Sequence, residues 1–300
     1  MTGTPAAVEV TGTPAATVAE VVCPLDDRSV WLEARQTGLG ASDMPIIMGL
    51  SPWSTPLELW CRKVGLEGQQ QETGAMKWGS ILEGPILEQY GKESGHDVRP
   101  GAFMWRSKQH PWAMMSPDGW HVDDGAIVEV KTTLYDDGWE DGPPEHYIAQ
   151  VQHQLFVTGA PYAVVACLFL ARRDFGFWRV DPDPRWFRRI ETSGALFWEL
   201  VQTETPPDSM VDDSAGTMAT AYQVGSFDDK SEILLPPESL GWDNRITEAS
   251  AERKVLDGEI NGLKNKIREH LGRNEARKGL LATGDHWRFT KNNRLIRGKA

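Results

Sequence analysis

The sequence lacks any run of about 18 apolar residues, which is the length that a helix needs to cross a bilayer. Its N-terminus has neither the basic start nor the continuous apolar stretch of a signal peptide. We therefore expect a cytoplasmic location and no membrane partner.

Cysteine is scarce, with three residues in a chain of 300. Cys23, Cys61 and Cys167 are too far apart in sequence for a CxxC metal knuckle or a disulfide framework. An iron–sulfur cluster is also disfavoured, because it needs four clustered thiolates. The cysteines fit a reducing compartment.

Positive charge is in deficit, with 31 Lys and Arg against 43 Asp and Glu and a formal net charge of −12. This balance argues against a protein that coats nucleic acid through bulk electrostatics. The deficit is uneven, since residues 243–300 carry fourteen Lys and Arg against eight Asp and Glu. Residues 172–189 carry six arginines against three aspartates, interleaved with aromatic residues. Such a mixture suits phosphate and base contacts, although a solvated strand edge and helix would look the same.

Length and composition predict one substantial core with a small appendage, since 33.4 kDa and 40% hydrophobic residues can bury one. Residues 1–24 contain TGTPAA twice and predict a disordered low-complexity tail. Residues 25–201 are assigned to a catalytic α/β domain, and residues 202–240, rich in Thr, Ser, Asp and Pro, to a linker or surface crossing. Residues 241–300 are assigned to a basic helical region.

Hydrophobic periodicity and capping residues predict the main elements. Helices are expected to begin near Thr55 and to cover residues 79–94, 143–158 and 246–271. Strands are expected at 113–122 and 126–132, joined as a hairpin by Asp123-Asp124-Gly125, then at 163–170 and 176–180. A terminal strand pair is expected at 280–283 and 286–290.

The motifs that carry chemistry are Ser116-Pro117-Asp118-Gly119 and Ile127-Val128-Glu129-Val130-Lys131. Phosphodiester cleavage needs hard cations held by oxygen ligands, and carboxylates on adjacent strands provide them. Glu129 and Lys131 are two residues apart and so face the same side of a strand. An ordinary turn at Asp118 and a solvated Glu-x-Lys strand are the alternatives, but the apolar neighbours fit an exposed strand poorly.

Several motifs occur in an order that resembles the YqaJ-type viral recombinase and lambda exonuclease family of the PD-(D/E)XK nuclease superfamily. The resemblance spans residues 30–180. Its motifs are Trp31, Arg35, Gly40-Ala41-Ser42-Asp43, Leu50-Ser51-Pro52-Trp53, Leu57-Glu58-Leu59-Trp60, Gly79 with Glu83, the two chemical motifs above, and Tyr147 with Gln150-Val151-Gln152. It implies an α/β fold with a central mixed sheet flanked by helices, and a small helical basic C-terminal extension.

The resemblance also implies site residues. The catalytic residues are Asp118, Glu129, Lys131 and Gln150. The metal ligands are Glu83, Asp118, Glu129 and Val130. Arg35 and Ser42 bind the 5′ phosphate of a DNA end.

Several of these residues have a plainer interpretation. Ser80 to Glu83 reads as a capping box, and Ser42 can cap a helix that begins at Asp43. Gln150 can belong to an ordinary half-buried helix face together with Tyr147, Val151 and Gln154. His153, one helical step away, is interpreted as a packing histidine and not as a ligand. Arg35 can pair with a local acid such as Glu33 or Asp43.

The implied function is a Mg²⁺-dependent 5′→3′ exonuclease, with two ions that Mn²⁺ can replace. It degrades double-stranded DNA ends and leaves 3′ single-stranded tails for phage-type recombination by strand annealing. The implied partners are a single-strand annealing protein and two further copies in a homotrimer, in the cytoplasm of a bacterial host if the chain is phage-encoded. Another PD-(D/E)XK endonuclease or processing nuclease, or a DNA-binding accessory protein with an inactive site, is the alternative.

Overall fold

The computed structural model describes residues 15–67, 73–135, 138–210, 212–223 and 232–298. The chain divides into two units, Met1–Phe227 and Asp228–Ala300. The helices of the first unit are α1 (Ala15–Val18), α2 (Arg28–Arg35), α3 (Met44–Ile47), α4 (Pro56–Lys63), α5 (Gly74–Ser94), α6 (Glu145–Thr158), α7 (Pro184–Gln202) and α8 (Ala215–Ala221). Its strands are β1 (Ala19–Pro24), β2 (Val98–Pro100), β3 (Phe103–Ser107), β4 (Met114–Met115), β5 (Gly119–His121), β6 (Ile127–Thr133), β7 (Ala163–Phe169) and β8 (Asp174–Val180).

A five-stranded mixed sheet in the order β2-β5-β6-β7-β8 lies at the centre of this unit. Strands β6 and β7 are parallel and are connected through α6, whereas the other neighbours are antiparallel. Helix α5 packs against Val128 and Val164 on one face of the sheet, and α6 packs against Ile127 and Val165 on the other. Both faces are covered, which is why β7 is an almost unbroken apolar run.

The predicted hairpin is confirmed at β5 and β6, which pair Trp120 with Ile127. Gly125 takes φ +73° in the turn, a conformation that glycine adopts without strain. The long strand expected at 113–122 is wrong, because β4 pairs with β3 in a separate sheet and only β5 belongs to the central one. Pro117 lies between them and cannot donate to a strand ladder, so the strand breaks there.

A second sheet of three strands, ordered β1-β3-β4, corrects the boundary of the predicted tail. Ala19–Pro24 pairs antiparallel with β3, and Ala19 and Cys23 are buried. The tail expected over residues 1–24 therefore ends earlier than its composition indicates, because the segment AEVVCP finds a partner strand that is distant in sequence. Residues 1–14 lie outside the described part of the chain.

Helix capping explains two other boundaries. Helix α4 begins as expected after Thr55, whose hydroxyl accepts from the Glu58 amide while the Glu58 carboxylate accepts from the Thr55 amide. Helix α5 begins at Gly74, five residues before the expected start, with Thr73 as its N-cap. Ser80 thus lies inside the helix and donates to the Met76 carbonyl, so the capping-box interpretation of Glu83 is wrong.

The segment expected to be a linker, residues 202–240, contains α8. Thr217 and Ala221 of α8 are buried, and Ala221 packs with Leu57 and Trp60 of α4. Part of this polar segment therefore completes the core of the first unit.

The second unit consists of a long helix and a small sheet. Helix α9 (Ser239–Arg273) begins seven residues before the expected 246–271 segment, ends two residues beyond it and buries Leu271 in its last turn. Strands β9 (Lys278–Leu280), β10 (His286–Phe289) and β11 (Leu295–Gly298) pair in the order β11-β10-β9, so the expected strand pair gains a third member. Across the described part of the chain, no helix has the length and apolarity to span a membrane.

Candidate active site

The two motif carboxylates meet where β5 and β6 pair. Asp118 directly precedes β5, and its Oδ2 accepts from the Val130 amide of β6 at 2.7 Å. Gly119 allows this strand to lie close to α5, since a Cβ there would stand 2.7 Å from a Leu87 methyl group. Glu129 is central in β6 and only 2% exposed. The geometry therefore places Asp118 and Glu129 together, as their motifs predict.

Glu129 is held by donors from its own strand and from α6. Lys131 and Gln150 both donate to Glu129 Oε1, and Gln154 donates to Oε2 at 2.6 Å. Gln150 and Gln154 are four residues apart and so lie on one face of α6. The carboxylate of Glu129 cannot turn away from the cleft without losing these bonds. Gln150 was expected in the site, whereas Gln154 was considered only as part of a half-buried helix face.

Lys131 completes the centre of the site. Its Nζ lies 5.0 Å from the centre of the Tyr147 ring and is hydrogen-bonded to Glu129. Burial disfavours the charged form, but the Glu129 and Asp118 carboxylates outweigh it and raise the pKa of Lys131 above its ordinary value. Lys131 is therefore a fixed cation at neutral pH.

Negative charge exceeds positive charge in this cluster. Burial and the nearby Glu129 carboxylate raise the pKa of Asp118 well above its ordinary value. Burial and Glu129 also raise the pKa of Glu83, which extends from α5 towards the same cleft. Like charges this close repel one another unless a cation or a proton lies between them.

The donor set fits a hard divalent cation. Glu83, Asp118 and Glu129 offer carboxylate oxygens, and Val130 can offer only its main-chain carbonyl. All four residues line one cleft of about 710 Å³. Mg²⁺ and Mn²⁺ prefer such oxygen ligands. Trp53, His146 and Tyr147 form an aromatic wall of the same cleft, with the Trp53 and His146 rings edge to face at 5.0 Å.

A smaller pocket of about 160 Å³ adjoins the carboxylates and contains both residues expected to bind a 5′ phosphate. Arg35 Nη2 lies 3.2 Å from the Ser42 hydroxyl, and Asp118 and Gln150 line the same pocket. Trp31 forms another wall and stacks beneath the Arg35 guanidinium at 5.1 Å. The structure thus brings Arg35 and Ser42 together beside the catalytic candidates.

The buried Asp43 carboxylate holds residues of this pocket in place. It accepts from Arg35 at 2.8 Å, from Lys63 at 2.9 Å and from the Gly40 amide at 2.9 Å. Burial opposes its ionisation, yet Lys63 and Arg35 hold the pKa of Asp43 far below its ordinary value. The local ion pair considered as an alternative for Arg35 therefore exists. It orients the guanidinium and does not move it away from Ser42.

Lys63 is a site residue that sequence reasoning missed. Its side chain is 5% exposed, and Nζ donates to the main-chain carbonyls of Arg35 and Gly38 at 2.8 and 2.7 Å. These bonds fix the loop that carries Gly38, Gly40 and Ser42. The sole sequence signal was a lysine at the end of an amphipathic helix, a position that favours cations for other reasons.

Other candidates fall outside the cleft. His153 is fully buried and contacts the Met114 carbonyl at 3.0 Å, which fits its packing interpretation. Three arginines of the basic aromatic stretch, Arg172, Arg179 and Arg185, pair with aspartates two residues away. These local pairs favour the solvated-edge interpretation for that part of the stretch.

Comparisons with known proteins agree with the motifs. Residues 30–161 match the model of the YqaJ-like viral recombinase domain. The chain is 39% identical over 176 residues to the uncharacterised protein YqaJ of Bacillus subtilis, a match that covers 57% of this chain and 55% of that protein. The chain therefore spans about half the length of this curated relative.

Solved structures show the fold. The alkaline exonuclease of Laribacter hongkongensis matches with a TM-score of 0.51 at 22% identity, over 59% of this chain and 94% of that chain. Its complex with dAMP matches with a TM-score of 0.52 at 21% identity, over the same shares of the two chains. The expected α/β fold, a mixed central sheet flanked by helices, is confirmed. The resemblance inferred from the motifs is confirmed as well: residues 30–161 match the YqaJ-like viral recombinase domain.

Proposed function

We propose that this chain is a metal-dependent exonuclease that degrades linear duplex DNA in the 5′→3′ direction and leaves 3′ single-stranded tails. The observation that carries the proposal is the convergence of Asp118, which directly precedes β5, with Glu129 and Lys131 of the adjacent strand β6, beside a pocket lined by Arg35 and Ser42. A carboxylate cluster with a fixed lysine suits phosphodiester hydrolysis, and a guanidinium beside a hydroxyl in the next pocket suits a terminal phosphate.

Glu83, Asp118, Glu129 and the Val130 carbonyl are the proposed ligands of Mg²⁺, which Mn²⁺ can replace. The bound metal supplies Lewis acidity and lowers the pKa of a water ligand. Lys131 orients the attacking water and stabilises charge that develops on the scissile phosphate. Gln150 donates to Glu129 and faces both pockets, so it positions this carboxylate relative to the DNA end.

Arg35 is the proposed reader of the 5′ phosphate. Its described hydrogen bonds to Ser42 and Asp43 both use Nη2, so the N–H groups of Nε and Nη1 can still donate to a phosphate, each from its own edge of the guanidinium. The Ser42 hydroxyl adds a donor on the same wall. Because Asp118 and Gln150 line this pocket too, a phosphate held there places the adjoining phosphodiester near the carboxylates.

We expect wild type to digest 5′-phosphorylated duplex faster than 5′-hydroxyl duplex, and Arg35→Ala to remove this preference. Loss of charge-assisted hydrogen bonds worth about 1.5–3 kcal/mol should slow digestion of the phosphorylated substrate roughly 10- to 100-fold. Single-turnover digestion of both substrates measures the ratio.

Arg28→Ala is the matched control, because Arg28 lies on the same helix and also stacks on Trp31, at 4.6 Å. It does not line the pocket that Arg35 shares with Asp118. A preference that survives in Arg35→Ala, or that Arg28→Ala removes equally, would contradict the assignment of Arg35.

The proposed partners follow from the same function. Double-stranded DNA ends are the substrate, a single-strand annealing protein receives the exposed strand, and three copies of the chain form a ring around the duplex. These assignments rest on the family resemblance.

A further inference from the structure

A cluster of metal-ligating side chains lies outside the candidate active site. His96, His121, Asp123 and Asp124 each offer one ligand atom, and these atoms all lie within 4.8 Å of one another. His96 follows the end of α5, and the other three residues belong to the end of β5 and the hairpin turn. Residues from two separate segments thus converge on one small volume.

The pairwise contacts show how the four side chains are arranged. His96 Nδ1 lies 3.0 Å from Asp123 Oδ2, and His121 Nδ1 lies 3.1 Å from Asp124 Oδ1. The two imidazole rings are nearly parallel, with their centres 4.0 Å apart. Each Nδ1 therefore faces an aspartate, and the two imidazole–carboxylate pairs lie side by side.

A second layer of buried groups orients two of these side chains. The Tyr90 hydroxyl is 2.9 Å from His121 Nε2, which leaves Nδ1 as the atom that faces the cluster. Tyr162 donates to Asp124 Oδ2 at 2.6 Å, and the Ala126 amide donates to Oδ1 at 3.0 Å. Metal-binding histidines and carboxylates characteristically have such outer partners, which fix the tautomer and the ring orientation.

We propose that His96, His121, Asp123 and Asp124 form a Zn²⁺ site that stabilises the fold. Two imidazole nitrogens and two carboxylate oxygens suit a tetrahedral ion of intermediate softness, whereas Mg²⁺ prefers six oxygen ligands. The ion joins the loop after α5 to the β5–β6 turn. It thereby fixes the edge of the central sheet formed by β2 and β5.

This site is separate from the nuclease centre. None of the four proposed zinc ligands lines the cleft that contains Glu83, Asp118 and Glu129. The proposed zinc ligands and the proposed nuclease ligands therefore have no residue in common. Loss of the zinc site and loss of the nuclease site can be measured independently.

The test uses full-length protein treated with a chelator and then titrated with Zn²⁺ by calorimetry, and separately with Co²⁺ followed by visible absorption. We expect one tight Zn²⁺ per chain at this cluster, an intense tetrahedral Co²⁺ spectrum and a Zn²⁺-dependent rise in the unfolding temperature. His96→Ala and Asp123→Ala should each abolish all three signals. Both side chains are partly exposed, at 32% and 55%, so these variants should fold.

Two further variants locate the signal. Asp97→Asn alters a neighbouring exposed aspartate outside the cluster and should bind Zn²⁺ as wild type does. Asp118→Asn alters the nuclease centre and should retain the tetrahedral Co²⁺ spectrum. Absence of a tetrahedral signal in wild type, its persistence in either His96→Ala or Asp123→Ala, or its loss in Asp118→Asn would each overturn the proposal.

Discussion

An Asp118→Asn variant is expected to lose at least about a hundredfold in nuclease rate, because the change removes a charged metal ligand and second-layer changes alone cost 10- to 100-fold. Asparagine has almost the same shape, and its carbonyl can still accept from the Val130 amide. The loss of nuclease rate therefore reports the removal of the negative charge and not a change of shape. Steady-state digestion of a labelled duplex with Mg²⁺ measures it.

The same variant is expected to be at least as stable as wild type when no metal is present. Burial and Glu129 both disfavour the Asp118 carboxylate, as the raised pKa of Asp118 indicates. Removing this charge relieves repulsion in the cluster. Mg²⁺ should then raise the unfolding temperature of wild type more than that of Asp118→Asn.

Asp97→Asn is the matched control, since it makes the same change at an exposed position beside β2. It should leave both rate and stability unchanged. If Asp118→Asn cleaves DNA at the wild-type rate, or unfolds well before wild type without metal, Asp118 is a structural residue and the proposed metal site is wrong.

Asp43→Asn is expected to lower the free energy of unfolding by about 3–5 kcal/mol, because it leaves a buried charge without its partner. Lys63 is 5% exposed at its side chain, and burial already lowers the pKa of Lys63. Asparagine cannot neutralise this ammonium group. Urea denaturation measures this loss of unfolding free energy. The m-value, which is the slope of the unfolding free energy against urea concentration, should stay unchanged.

Removing the buried Lys63 ammonium group as well should reduce the loss of unfolding free energy. The double variant Asp43→Asn/Lys63→Met should therefore lose less unfolding free energy than the two single variants lose in sum. Arg35→Ala should cost less than Asp43→Asn, because its side chain is 27% exposed and Asp43 keeps Lys63. A loss below about 1 kcal/mol in Asp43→Asn would show that the ion pair behaves like an exposed one.

Local signals in the sequence predicted much of the fold. The capping box at Thr55, the turn at Asp123 to Gly125 and the apolar run of β7 each depend on residues close in sequence. The expectations that were wrong concern partners distant in sequence. Nothing near Ala19–Pro24 indicates that β3 will pair with it, and a helix start at Thr73 competes with an equally good pattern at Ser80.

The residues of the candidate site also differ in how far their partners lie along the sequence. Asp118, Glu129 and Lys131 could be predicted because a hairpin brings its own residues together. Lys63 and Gln154 could not, because their partners Asp43 and Glu129 are 20 and 25 residues away and no motif marks the contact. The His96 cluster was missed for a similar reason, since 25 residues separate His96 from His121 and their spacing matches no metal motif.

The most direct test of the proposed function compares linear duplex, labelled at either the 5′ or the 3′ end, with closed circular duplex, in the presence and absence of Mg²⁺. We expect wild type to release the 5′ label early and the 3′ label late, only with Mg²⁺, and to leave circles intact. Asp118→Asn should degrade none of these substrates. Cleavage of circles, early release of the 3′ label, or full digestion without a divalent metal would contradict the proposed function.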